Sequence, residues 1–259
     1  MSSMMRLNRV PLRRVARVFV AAILTTLATT VAAAAQAASP EAILTRYART
    51  IDPDHRLASL QGLRMVSEME FPGMGTATMT TLQGRPDKML ITTMLPGLGE
   101  IKQGFDGTTA WSNDPMSGPR ILSDAEATQL RDGANFDAIG RALDLFSTME
   151  PAGEVTVGGE VADCLKLTWK TKRVTTECYS RSSGLLVETR VTGVTAQGEV
   201  QAVSHPSDYR EVGGVKLPHR IEQNIAGTSM VITIKEAQAG PVDADLLELP
   251  AEIKALKKP

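Results

Sequence analysis

The sequence predicts an α+β domain: one large antiparallel sheet of ten or eleven strands, bent on itself, with helices on one side. Three observations carry this expectation. Apolar and polar residues alternate with a period of two through most of residues 63–236. Pro-Gly, Gly-Gly and Ser-Gly pairs punctuate those runs at short intervals. Helical spacing is confined to the start and to one middle stretch, and without βαβ alternation the helices fall to one side of the sheet. A sheet that wide must curl.

Residues 1–37 are set apart as an export signal. Arg6, Arg9, Arg13, Arg14 and Arg17 form a basic leader, Val18 to Ala35 is an apolar run, and Ala35-Gln36-Ala37 fits the small-x-small cleavage rule. The run falls short of the ~20 apolar residues a spanning helix prefers. Residues 38–259 then form a single domain. Ser39-Pro40-Glu41 supplies a hydroxyl cap, a first-turn proline and an acid. Ile43, Leu44, Tyr47 and Ile51 follow at helical spacing, and the helix should stop before Pro53.

Strands follow over 63–71, 76–83, 88–95 and 99–103, separated by Pro72-Gly73, Gly84-Arg85-Pro86 and Pro96-Gly97. Asp106-Gly107 makes a tight turn into a strand that carries Trp111 and breaks at Asp114-Pro115. Trp111 is expected on the inner side of the curved sheet. A helical insertion over about 123–149 interrupts the pattern. It opens with the capping box Ser123-Asp124-Ala125-Glu126, and Phe136, Ile139, Leu143 and Phe146 lie along one side of its second helix. Eight further strands are expected over 154–157, 162–169, 174–180, 185–192, 200–205, 208–212, 216–224 and 229–236.

The chain is poor in recognisable chemistry. Once the leader is removed, 23 basic residues face 29 acidic ones, a balance that argues against nucleic acid. His55, His205 and His219 have no metal-ligand spacing, and there is no HExxH, nucleophile elbow or phosphate loop. No catalytic residue, cofactor or metal is expected. Cys164 and Cys178 flank a polar turn at Lys170 to Arg173, and a hairpin there sets them opposite each other. They are either two buried thiols or a disulfide; export to an oxidising compartment favours the bond. Six methionines, Met65, Met69, Met74, Met79, Met89 and Met94, crowd into thirty residues. Methionine is a poor strand former, so its use here reads either as gap-filling or as an adaptable ligand surface.

Several stretches together carry a resemblance. These are the N-terminal helix, Gly104-Phe105-Asp106-Gly107-Thr108-Thr109-Ala110-Trp111, the helical insertion, and Gly158-Gly159. Ser183-Gly184-Leu185-Leu186, the run Asp208 to Pro218, and the close from Pro241 to Pro250 complete it. The chain resembles the LolA/LolB-like group of periplasmic outer-membrane lipoprotein-sorting and lipid-carrier proteins. That resemblance implies an unclosed β-barrel whose concave apolar face, lidded by helices, holds acyl chains of lipids or lipoproteins. A membrane-protein donor or acceptor is the implied partner, and the periplasm the implied location. Candidate lining residues are Leu63, Met65, Met69, Phe71, Met89, Ile91, Trp111, Leu143 and Phe146. With no Cys near the cleavage site, a lipid-anchored acceptor is not expected. Since the fold is also used by an envelope-stress regulator, the alternative is a sensor or scaffold that binds proteins.

Overall fold

A computed structural model describes residues 38–73, 75–195 and 198–257. The expected export signal and Met74 lie outside the described residues.

Helix α1 (Pro40–Ile51) begins where the sequence places it, with the Ser39 hydroxyl accepting from the Ala42 amide. It buries Leu44, Tyr47 and Ile51. Six strands follow: β1 (Gly62–Phe71), β2 (Gly75–Gly84), β3 (Lys88–Leu95), β4 (Gly99–Phe105), β5 (Ala110–Asp114) and β6 (Gly118–Ile121). Helix α2 (Asp124–Ala134) carries the complete capping box between Ser123 and Glu126. Seven more strands complete the sheet: β7 (Phe146–Val157), β8 (Glu160–Trp169), β9 (Val174–Ser180), β10 (Leu186–Thr195), β11 (Gly198–Val212), β12 (Val215–Ile225) and β13 (Thr228–Ala239). Near the end comes the short helix α3 (Ala251–Lys254).

Among the described residues, thirteen strands form one antiparallel sheet ordered β6-β5-β4-β3-β2-β1-β13-β12-β11-β10-β9-β8-β7. Two meanders are thus joined where β1 pairs with β13. The outer strands, β6 and β7, do not pair, so the barrel stays open. They are consecutive in the chain, and α2 with its following turns connects one free edge to the other. Nearly every connection is a tight hairpin, the outcome that the glycine pairs dictate.

The structure corrects three expectations. The helical insertion does not reach Met149. Helix α2 ends at Ala134, 3-10 turns cover Phe136–Gly140 and Leu143–Leu145, and Phe146 already starts β7. Asn135 causes the first break, because its side chain accepts from the Asp137 amide in place of another helical turn. Pro151-Ala152-Gly153 makes an irregularity in the β7–β8 pairing. Residues 200–205 and 208–212 belong to one strand, β11, whose backbone twists at Asp208 (φ 51°) without leaving the sheet. Strand β6 was not expected; it offsets the merger in β11, so the sheet has thirteen strands, as many as the segments read one by one and more than the ten or eleven of the overall expectation.

The main core lies between α1 and the inner face of the sheet. Leu44, Tyr47 and Ile51 meet Leu63, Phe136, Phe146, Leu165, Leu167, Trp169, Tyr179 and Leu217 there. Burying each such side chain contributes about 1.5–3 kcal/mol. A second inner cluster packs Ala127, Leu130 and Ala134 of α2 onto Met89, Phe105 and Ala110. On the opposite face Trp111 and Leu90 pack with Leu249 and Ile253 of the C-terminal segment. Cys164 and Cys178 face each other across β8 and β9 and form a disulfide (S–S 2.06 Å).

Candidate functional site

Three hollows surround the helical connection between the free edges. The largest, about 810 Å³, lies between α2 and the inner face at β3 to β6. Met89, Ile91, Leu122, Leu130, Ile139 and Trp169 give it apolar walls. Arg120, Arg141, Arg173, Glu126 and Asp132 bring charge to the same space. A second, about 580 Å³, opens between the start of α2, the β8–β9 turn and strands β9 to β11. A third, about 380 Å³, separates α1 from the 3-10 turns and is walled by Leu44, Ala48, Leu57 and Leu143. Both larger volumes fall within the roughly 300–1,000 Å³ range of small-molecule sites.

The polar groups hold the connection down. Arg141 stands in the left-handed region (φ 52°) after the first 3-10 turn, which aims its side chain at the sheet. Its Nε donates to Glu177 Oε2 at 2.8 Å, and Nη1 donates to the Ala138 carbonyl. Glu177 is 1% exposed at the side chain and is satisfied all round: Tyr179 Oη donates to Oε2 at 2.6 Å and Thr175 Oγ1 to Oε1 at 3.3 Å. Burial pushes the Glu177 carboxyl up, but the charge and hydrogen bond of Arg141 outweigh it and hold the group below its usual range. Arg141 is shifted up in turn: burial opposes its charge, and Glu177 more than restores it.

A second pair sits 2.7 Å apart: Arg173 Nε of the β8–β9 turn and Asp132 Oδ2 of α2. Thr171 Oγ1 also donates to Asp132, at 3.1 Å. Burial is the larger influence on both partners. It raises the Asp132 carboxyl despite Arg173, and lowers Arg173 despite Asp132. Gln83 Nε2 completes the attachment by donating to the Gly133 and Ala134 carbonyls at the end of α2.

The candidate lining residues divide among five settings. Met89 and Ile91 line the largest hollow. Leu63 and Phe146 are buried in the α1 core, with Met65 packed against it, so this part of the concave face is filled by the protein itself. Leu143 is 40% exposed and borders the small hollow beside α1. Trp111 is a correction: it lies on the outer face. Ala110 beside it contacts α2, and alternation sends Trp111 the other way, beneath Leu249 and Ile253. Met69 and Phe71 continue the Leu63 face further along β1. On that face, Met69, Met79, Ile101, Ile221 and Ile232 share a surface by cross-strand register. Among the described residues they join neither the α1 nor the α2 cluster.

Sequence reasoning missed Arg141, Arg173, Asp132 and Glu177. Glu177 left a usable sign: alternation places it on one face with Thr175 and Tyr179, directly opposite Leu165 of β8. A carboxylate there must find a cation from another element. Among the described residues no cluster of His, Cys, Asp or Glu could hold a metal ion.

An open antiparallel barrel, with its two free edges linked by a helix laid over the inner face, defines the LolA-like fold. A LolA superfamily protein from Nitrosomonas europaea is 15% identical, with 82% of this chain and 99% of that one covered at a TM-score of 0.52. A DUF1329 family protein from Desulfovibrio piger is 14% identical, with 82% and 100% covered at 0.53. At such identities the likeness is one of fold alone. No family model and no curated protein matches the chain.

Proposed function

We propose that this protein is an exported carrier that holds the acyl chain of a lipid or lipoprotein on the concave face of its open barrel. The observation that carries the reading is the inner-face surface of Met69, Met79, Ile101, Ile221 and Ile232, which neither helix cluster takes up among the described residues. Adaptable thioethers suit chains of varied shape. Burying each methylene contributes ~0.8 kcal/mol, so a fourteen-carbon chain gains on the order of 10 kcal/mol without any charged anchor. Hollows walled by Met89, Ile91 and Leu130 extend the same face beneath α2. The basic leader and the small-x-small motif near Ala37 support a periplasmic carrier, which would pass its cargo between membrane partners in outer-membrane lipoprotein sorting.

Native mass spectrometry and lipid extraction of protein purified from the cell envelope test the reading. Acyl-chain-bearing species should leave with the protein, and emptied protein should take up a fatty acid of about fourteen carbons. Repeated recovery of empty protein with no affinity for such a chain overturns it.

A further inference from the structure

Arg173 differs from every other arginine around the largest hollow. Three arginines border that space: Arg120, Arg141 and Arg173. Arg120 is spent on Glu126 (2.9 Å), and Arg141 on Glu177 and the Ala138 carbonyl. Arg173 is spent only at Nε, which pairs with Asp132 Oδ2 at 2.7 Å; its Nη atoms make no hydrogen bond among the described residues. The guanidinium carbon sits 4.5 Å over the Trp169 ring, which fixes the plane of the fork. The side chain is only 18% exposed, yet it borders both the 810 Å³ and the 580 Å³ hollows. Lys172 beside it lines the smaller one, and it has no ion-pair partner among the described residues.

A fixed guanidinium with unused Nη donors matches the paired oxygens of a carboxylate or phosphate. Met89, Ile91 and Leu130, in the same hollow, suit an alkyl chain. We propose that Arg173 is a head-group subsite, taking the anionic head, a carboxylate or phosphate monoester, of an acyl-chain ligand. This rests on the carrier reading and narrows it: the preferred cargo is an anionic lipid. Asp132 neutralises part of the Arg173 charge without occupying its Nη donors, so the subsite offers directed hydrogen bonds more than net charge.

Titration calorimetry on the delipidated mature chain decides the matter, using probes kept below micelle-forming concentrations. The probes are lysophosphatidic acid, lysophosphatidylcholine with the same acyl chain, and inorganic phosphate. The monoester should bind about tenfold or more tighter than the choline diester, the value of one charge-assisted hydrogen-bonded contact. In Arg173→Gln the two lipids should bind alike, at the affinity the diester shows for the unaltered protein; Arg173→Lys should recover part of the preference. Equal affinities for the two lipids in the unaltered protein overturn the head-group subsite and leave the carrier reading standing. Binding of neither lipid overturns both. Inorganic phosphate binding as tightly as the monoester overturns the lipid assignment in favour of a free-anion site. The preference of the unaltered protein is decisive even if Arg173→Gln does not fold.

Discussion

Glu177 is the residue on which the attachment of the helical connection turns. A carboxylate on the inner face of β9 would be costly alone; Arg141, Tyr179 and Thr175 make it tolerable by filling its lone pairs. Glu177→Gln leaves Arg141 buried without a counter-charge and should lower stability near neutral pH by about 3 kcal/mol. The loss should depend on pH in a definite sense. The folded carboxyl titrates below its unfolded range, so its contribution is complete above that range and disappears as pH falls through the folded pKa. Asp132 is shifted the other way; its contribution is present in acid and is lost as pH rises through its raised pKa. That second effect is common to both proteins and cancels in the difference. Thermal unfolding of the two proteins should therefore converge below about pH 4 and separate towards pH 7. A gap that stays constant across this window would mean that Glu177 is not charged in the folded state.

Legibility changes from element to element, and β5 shows why. Helix α1 and the hairpin turns could be read directly, because a cap, a proline or a glycine pair has few alternative uses. The face of Trp111 could not. Alternation tells two faces apart only when one is wet, and here the C-terminal segment covers the outer face at β5 while α2 covers the inner one. The stretch 136–149 misled for a related reason: the 3-10 turn at Phe136–Gly140 and the start of β7 bury Phe136 and Phe146, with Ile139 packed against the same core, at spacings close to helical. The hollow itself was half legible. Met89 and Ile91 stood out as strand residues, whereas the charges around them meet only across three elements distant in sequence. The outer position of Trp111 carries a consequence at Gly104, its direct partner on β4. A Cβ there would lie 2.6 Å from the indole ring. Gly104→Ala should push the ring out from under Leu249 and Ile253, lower stability by about 1–3 kcal/mol and shift Trp111 emission to the red. Unchanged emission and melting temperature would contradict this packing.

For the molecule as a whole, the defining choice is an open sheet whose free edges are linked by a segment laid over its own hollow. Closing β6 onto β7 would abolish the edges but seal the inner face; with the edges apart, the carrier reading makes the segment between them the gate. A carrier built this way needs the gate to be held by contacts that water can replace. The end of α2 meets that need: Gln83 on β2 holds it through two hydrogen bonds to the Gly133 and Ala134 carbonyls (3.1 and 3.2 Å). These carbonyls are at the helix terminus, where backbone acceptors have no intrahelical donor. In Gln83→Ala both bonds are lost, and each is worth about 1 kcal/mol, so opening should become about tenfold or more easier. On the carrier reading the same opening admits and releases a chain, so association and dissociation should both accelerate by that factor. The equilibrium affinity should stay nearly constant, because Gln83 borders none of the three hollows. Stopped-flow uptake and displacement of a fluorescent fatty acid read the two rates separately. A variant that changes affinity but neither rate would show that cargo enters by another route, and that the link between the free edges is a fixed part of the wall.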